Sequence, residues 1–558
     1  MSIDEYRAIF GDSDEDSGDV DGSDSDIDFE GIDEDAEESD GEKDQTGNEG
    51  ASDSDEELEE EWWTAELGDI DVNTFTAQSG RSIDVGPDPK ADNFFTFMFG
   101  EDLFEKIFLE TNRYARQKLA DNEQRLGRWR DVNRDEMKAY FGVCVIMGIN
   151  NLPKIADYES SDIFIGNDGI KRTMTKNRFE EISQFFHLNN SSEEPARGEE
   201  NFDRLYKCRP ALTSILRNAQ RWYSPKKNIS IDEGMIAFKG RLSFRQYLPA
   251  KPTKYGIKVW MAADASNGYV VNFSVYLGSE GQNRRIHGLG YDVVMNMARP
   301  FLNRNHHVFF DNFFSSPILL DHLLDQQTYP CSTVRCTRRD LPPCAKNKLR
   351  QPGETIVRQR GSLLFTKWHD KRDVAFLSTN VSPNEPPRIV QRMQNGRNVQ
   401  IEKPHVSDLY TKNMSGVDRA DQLRSSYTVG RQSRKWYRYI FWFVFNVAAC
   451  NAYILECEHR LRNHQRTRPQ ADFRLELGTR LINGYTYRKR LAPSQAPQPR
   501  RDHQAVRLEG RKKECVLCKT AGRKTPKGYP VETKNKCQEC GVALCKVRCF
   551  VEYHSTDA

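Results

Sequence analysis

The spacing of apolar positions changes character several times along the chain. Residues 1 to about 85 show no period and read as a solvated tail of acids, Ser and Gly. From Asp92-Asn93-Phe94-Phe95-Thr96-Phe97-Met98-Phe99 onward the pattern is helical. Apolar stretches run over Met137–Ile149 and Phe179–Leu188, and Leu205, Leu212, Ile215 and Leu216 share one side of a predicted helix ending near Trp222. Pro225 and Lys226-Lys227-Asn228 close that region. The period then becomes two. Ile229–Phe238, Ile257–Ala262 and Tyr269–Tyr276 predict strands, with a turn at Asp264-Ala265-Ser266-Asn267-Gly268. A helix around Asp292–Leu302 and a strand over His306–Phe310 follow. Ser316-Pro317 opens a further helix, and Tyr329–Val334 reads as a strand.

This β-β-β-α-β-α-β order is the one expected of a ribonuclease-H-like core in an α/β multidomain chain. Pro, Gly and two strand-like runs, Ser362–Trp368 and Val374–Ser378, mark residues 336–405 as an insertion. Helical spacing returns at Ser415. The uncharged run Tyr439–Leu455 falls short of the roughly 20 residues of a membrane span and contains two Asn, so it reads as a buried helix. The expected organisation is a tail (1–85), a helical region (86–228 and 426–500), the α/β core (229–335 and 406–425), the insertion (336–405), a linker (501–511) and a Cys-rich end (512–558).

Charge adds a partner to this picture. Residues 1–61 hold 28 acids and 2 bases, a net of −26, so the overall −1 leaves +25 on residues 62–558. An acidic tail is thus joined to a basic body, and such a body suits a polyanion, with nucleic acid the first candidate. Ser13, Ser23, Ser25, Ser39, Ser52 and Ser54 precede acids at +1 and +3, the pattern an acidophilic kinase takes. Each phosphate would add about −1.5 to −2. The N-terminus is acidic and lacks an apolar segment, so no signal peptide and no membrane partner are expected. Six of the 13 Cys fall within 515–549, which reads as metal ligation and not disulfides.

Three acids stand in settings that suggest chemistry. Asp232 lies on a strand face with Ser230, opposite Ile229 and Ile231; pairing with Lys239 or Arg241 is its plainer use. Asp311 ends a strand, and Ser316-Pro317 already supplies the next helix start. Asp418 follows Ser415 at capping-box spacing, and Asp421 is one turn on, so spacing leaves either as the candidate. Carboxylates from two strands and a helix can hold two hard cations roughly 3.5–4 Å apart, an arrangement suited to phosphodiester chemistry.

Several segments carry a family resemblance: Ile229-Ser230-Ile231-Asp232-Glu233 with Phe238-Lys239-Gly240-Arg241, Lys254-Tyr255-Gly256-Ile257-Lys258, Phe310-Asp311-Asn312-Phe313-Phe314-Ser315-Ser316, and Gly416-Val417-Asp418-Arg419-Ala420-Asp421-Gln422. Together they closely resemble the piggyBac transposases, from about Phe94 to the C-terminus. The resemblance implies a ribonuclease-H-like catalytic core with an insertion, a helical dimerisation and DNA-binding domain, and a terminal zinc module. It places magnesium ligands on Asp232, Asp311 and Asp418 and a fourth catalytic carboxylate on Asp421. Two Mg²⁺ per site are implied, with Mn²⁺ able to stand in. The implied reaction is cut-and-paste transposition. One strand is hydrolysed at the element's end, the 3′-hydroxyl forms a hairpin, and the reopened end joins a TTAA target with seamless repair of the donor. A homodimer or larger assembly on double-stranded DNA and a nuclear location go with it. A domesticated descendant that binds DNA without cutting is the alternative.

Cys515-x2-Cys518, 18 residues and Cys537-x2-Cys540 match a structural zinc site. Cys545, Cys549 and His554 bring the ligands to seven, so a second ion needs Asp557, His503 or a water. Candidate DNA contacts are the cation–aromatic run with Arg431, Arg434, Lys435 and Trp436, the basic residues Arg511, Lys512, Lys513, Arg523 and Lys524, and the scattered Lys254, Arg284, Arg285, Arg335 and Arg338. Runs 511–513 and 523–524 also fit a bipartite nuclear-import signal. A tethered polyanion competes with DNA for a cationic body. Deleting residues 1–61 is therefore expected to tighten binding to a random-sequence duplex, measured by fluorescence anisotropy; an unchanged Kd ends the idea.

Overall fold

The computed structural model describes residues 63–120, 129–249, 253–278, 285–394, 397–486, 503–546 and 548–555. The six tail serines, Arg284 and Asp557 lie outside them. Two compact units are formed: one takes residues up to Asp157 and Asn177–Asn483, the other Tyr158–Lys176 and Gly484–Ala558.

The expected tail is corrected at its C-terminal end. From Trp63 the chain lies on the first unit, with Trp63, Ile70 and Ile83 buried. Thr64 and Gln359 exchange two backbone hydrogen bonds of 2.8 and 3.0 Å, and Gly80–Arg81 pairs with Tyr223–Ser224. Such widely spaced anchors among polar residues produce no period, so the pattern of apolar positions misses them.

In the first unit the helical part comes first in the chain: α1 (Ala91–Phe99), α2 (Glu101–Leu119), α3 (Arg134–Ile149) and α4 (Arg209–Trp222). The sheet follows, with β1 (Asn228–Ala237), β2 (Tyr255–Asp264), β3 (Val270–Val275), helix α5 (Gly288–Ala298), β4 (His307–Phe310), helix α6 (Pro317–Asp325) and β5 (Tyr329–Val334). β1 runs antiparallel to β2 and parallel to β4, which is parallel to β5. Ser316 takes the N-cap position with Pro317 behind it, as the sequence suggested.

The stretch 336–405 supplies strands to this same sheet. β6 (Thr355–Arg360), β7 (Leu363–His369) and β8 (Asp373–Ser378), with the short strand Gln246–Tyr247 beside β2, extend it to nine strands, β8 pairing with β5. β6 has Arg358, Gln359 and Arg360 in place of an apolar alternation, as edge strands often do; Thr64 covers part of it. A separate antiparallel pair, Arg388–Gln394 with Arg397–Lys403, stands either side of the sequence Asn395-Gly396, a dipeptide that favours hairpins.

Four helices close the unit: α7 (His405–Asn413), α8 (Gly416–Ser426), α9 (Trp436–Arg462) and α10 (Gln470–Ile482). α9 is long and apolar enough to cross a membrane by composition, but 89% of its most apolar window is buried inside the protein. Its rings fill the core of the helical part. Phe445 lies 5.2 Å from Phe95 and 5.4 Å from Phe141 between ring centroids, and Phe441 lies 4.9 Å from Phe186. Each such pair contributes about 0.5–1.5 kcal/mol beyond its burial. α10 crosses α3 where two glycines meet; a Cβ on Gly142 would stand 2.7 Å from the Gly478 carbonyl.

The two asparagines of α9 explain themselves once the backbone around them is seen. Asn451 accepts from the Val270 amide (3.0 Å) and donates to its carbonyl (2.8 Å), pinning β3. Asn446 does the same to Val429, at 3.3 and 3.1 Å. A buried unmade hydrogen bond costs about 1–3 kcal/mol per group. Asn451→Leu is expected to lower unfolding free energy by at least that amount in chemical denaturation; an unchanged midpoint contradicts the role.

Candidate active site and metal clusters

Side chains at even positions of β1 point to one face: Ser230, Asp232 and Gly234. Ser230 pairs with Phe309 across the parallel β1–β4 ladder. That pair is the last of the ladder, and Asp232 and Asp311 each follow it by two residues, Asp311 just past the end of β4. The backbone steadies each carboxylate. Asp232 accepts from the Glu233 amide (2.8 Å) and Asp311 from the Phe313 amide (2.9 Å). Arg338 fixes the loop beyond Asp311, donating to the Phe313 carbonyl at 2.6 Å, while Arg335 donates to Asn312 at 3.1 Å. Burial and the neighbouring Arg335 charge lower the Arg338 pKa, and Asp311 opposes them.

α7 and α8 cover this face. Val406, Leu409, Tyr410 and Met414 pack with Phe309, Cys331 and Phe376. Burial, then the charges of Asp311 and Asp232, push the Tyr410 phenol above its usual range, with a Thr333 hydrogen bond opposing. Tyr410 therefore sits within the field of both acids. Nothing in its sequence context signals this.

α8 docks through its first turn. The Val417 amide donates to the Ser230 hydroxyl at 3.0 Å. Gly416 is required by contact: a Cβ there would stand 2.4 Å from that hydroxyl oxygen. Arg419 donates to the Ala265 carbonyl at 3.0 Å, tying the helix to the turn after β2. The two acids of α8 have different surroundings. Asp421 is bound to Arg424 at 2.9 Å, and its Oδ1 lies 3.7 Å from where a Cβ on Gly234 would stand. Asp418 is exposed and has no partner among the described residues. Ser415 occupies the N-cap position without a side-chain cap bond, so the competing capping use of Asp418 is not realised.

Asp264 has a structural role. It is fully buried and accepts from the Tyr223 hydroxyl (2.9 Å), the Lys226 amide (2.7 Å), and the Ser266 amide (2.9 Å) and hydroxyl (2.7 Å).

Much of the cation–aromatic run is committed to the protein. Arg431 donates to the Leu152 carbonyl at 2.6 Å, Lys435 to the Tyr114 hydroxyl at 3.0 Å, and Trp436 packs on Phe244. Arg434 and Lys254 are exposed, and Arg285 lies 3.6 Å from Asp292. In the second unit Arg511, Lys512, Lys513 and Lys524 are exposed, while Arg523 pairs with Glu552 at 3.0 Å.

The Cys-rich end of the second unit holds two ligand groups. Cys515, Cys518, Cys545 and Cys549 form one; His503, Cys537, Cys540 and His554 form the other, with ligand atoms within 4.8 Å of one another in each. Two sequence expectations are corrected. The two Cys-x2-Cys motifs do not share a site: Cys515 and Cys518 join the later Cys545 and Cys549, while Cys537 and Cys540 join the earlier His503 and the later His554. Within the expected linker, residues 503–511 belong to the module: Ala505–Arg507 pairs with Asn535–Cys537, which brings in His503, one of the candidates for the eighth ligand. Burial raises the Cys515 thiol, but the Cys518 and Cys545 amides aimed at its sulfur outweigh this and bring it down to about 7.

Acids on a strand, just past a strand end and on a docked helix are the setting in which the comparisons place this chain among transposases. Residues 90–453 match the family model described as Transposase IS4. The chain belongs to the piggyBac transposase family. It is 24% identical over 494 residues to human PiggyBac transposable element-derived protein 3, covering 83% of this chain and 78% of that protein. It is also 24% identical over 427 residues to human PiggyBac transposable element-derived protein 5, covering 73% and 78%. A cryo-EM structure of a piggyBac transposase synaptic complex with hairpin DNA superposes with a TM-score of 0.66 at 22% identity, covering 84% of this chain and 98% of that one. That likeness fixes the α/β multidomain fold.

Gly416→Ala tests the docking of α8. Forcing a methyl group against Ser230 is expected to cost about 1–3 kcal/mol in denaturant unfolding. Wild-type stability would mean that the helix does not rest there.

Proposed function

We propose that this protein is a divalent-metal-dependent DNA transposase that cuts and rejoins DNA at the ends of its element. One arrangement carries the reading: Asp232 and Asp311 each follow the last pair of the parallel β1–β4 ladder by two residues, and α8 brings Asp421 beside Gly234 of β1, with Asp418 one turn earlier on the same helix. The core is read as ribonuclease-H-like, supported by strand order and the parallel β1–β4–β5 set.

The donor set suits magnesium: hard carboxylate oxygens, one of them on an exposed and unpartnered side chain. Asp232, Asp311 and Asp418 would hold the ions, and Asp421, paired with Arg424, supports the helix beside them. Bound divalent ions acidify a water or 3′-hydroxyl nucleophile and stabilise the leaving oxygen. The protein's part is to hold the acids: two backbone amides orient Asp232 and Asp311, and Arg338 and Arg335 fix the loop behind Asp311. Exposed Arg335 and Lys254 are placed to meet phosphates. The hairpin route, TTAA target, dimeric assembly and nuclear location follow the family resemblance.

The Cys-rich unit is proposed to bind two structural zinc ions. Thiolate and imidazole donors in two groups of four fit tetrahedral zinc, and a module this small gains its folding energy from the metal.

A second reading, a DNA-binding descendant without cleavage, is favoured by the transposable element-derived names of the human relatives. A strand-transfer assay with Mg²⁺ on a TTAA-bearing plasmid, using the source element's flanking repeats, separates the two. Hairpins and TTAA joints that vanish in Asp311→Ala are the expected result; DNA binding without any cleavage by the unaltered chain would favour the second reading.

A further inference from the structure

Arg474 is the bulkiest of the fully buried side chains, and no carboxylate pairs with it among the described residues. It projects from α10 and donates to the Tyr427 carbonyl (3.0 Å), Asn446 Oδ1 (3.2 Å) and Cys450 Sγ (3.4 Å); its Nε has no partner. A buried cation without a counter-charge is expensive, and an apolar side chain would fill the same space without that cost. The negative charge it meets is the partial charge of a helix end. Tyr427 is the C-cap of α8, where unpaired carbonyls favour a cation. Gln470, one turn earlier on α10, donates to the Leu423 carbonyl of the same last turn at 3.1 Å. Asn446, itself bound to Arg474, grips Val429 just beyond. The C-terminal end of α8 is thus held from Leu423 to Val429, while Ser230 holds its N-terminal end.

We infer that Arg474, with Gln470, is a positioning residue for the acids of α8. The guanidinium is held on α9 by Asn446 and Cys450 and reaches the end of α8 at the Tyr427 carbonyl; with the Gln470 bond to Leu423 this gives α8 two directional contacts, whereas apolar packing is non-directional. A slip of one residue would swing Asp418 by about 100° around the helix axis. Drawing carboxylates onto cations pulls on this helix, and the clamp resists that pull. The inference rests on the reading that Asp232, Asp311 and Asp418 hold divalent ions.

Titrating the full-length zinc-loaded chain with Mn²⁺, followed by the electron paramagnetic resonance signal of the free ion, tests it. Asp232→Asn marks which binding belongs to the site, and thermal melting reports folding. Arg474→Met is expected to fold and to weaken the Asp232-dependent binding roughly tenfold, the range for residues that orient metal ligands. Arg474→Lys should recover part of the affinity, and Gln470→Leu should lose a few-fold. A folded Arg474→Met with wild-type Mn²⁺ affinity, even if it melts earlier, overturns the inference and leaves only a packing role. If Arg474→Met does not fold, Gln470→Leu decides: unchanged affinity overturns the inference, and weakened affinity in a folded chain supports it. No Asp232-dependent binding in the unaltered chain removes the parent reading, and this inference with it.

Discussion

The hydrogen bond from the Val417 amide to the Ser230 hydroxyl joins residues 187 positions apart. The geometry of the acid site depends on it. Asp232 lies within β1 and Asp311 just past the end of β4, and both strands follow from the apolar pattern around them. The helix that brings the other acids has no such guarantee, because it arrives after an insertion of some seventy residues. It is seated by a side-chain hydroxyl, by a glycine that leaves room for close approach, and by Arg419 reaching the turn after β2. These are contacts of shape and hydrogen bonding, directional where hydrophobic burial is not.

That division also explains what could be read in advance. β1 through β5 follow from period and turn chemistry and lie within two residues of the expected ends, while the helix expected over Asp292–Leu302 lies four residues earlier, at Gly288–Ala298. The buried character of α9 follows from its length and its two asparagines, although the backbone each grips does not. What the pattern missed has a common cause. Residues 63–85 and β6 bind through a few isolated anchors and edge hydrogen bonds, which leave no period in the sequence. Tyr410 and Arg474 act by long-range position, and helical spacing shows them only as members of helices.

The choice between Asp418 and Asp421 stayed open on spacing alone, since both lie on consecutive turns. Their surroundings separate them: Asp421 is tied to Arg424 beside Gly234, whereas Asp418 is exposed with no partner among the described residues. The Cys-rich end shows the same limit in another form. Motif spacing suggested one site from two adjacent pairs, whereas chain folding sends each pair to a different group and recruits His503 from a segment that looked like linker.

The central claim is that the strand acids and an α8 acid share divalent ions. The most direct test is an anomalous scattering map of the full chain crystallised on DNA with manganese. Two manganese peaks bridged by Asp232, Asp311 and Asp418 are expected, in line with magnesium chemistry at that face. Manganese absent from those carboxylates, with the DNA seated over them, would contradict the account.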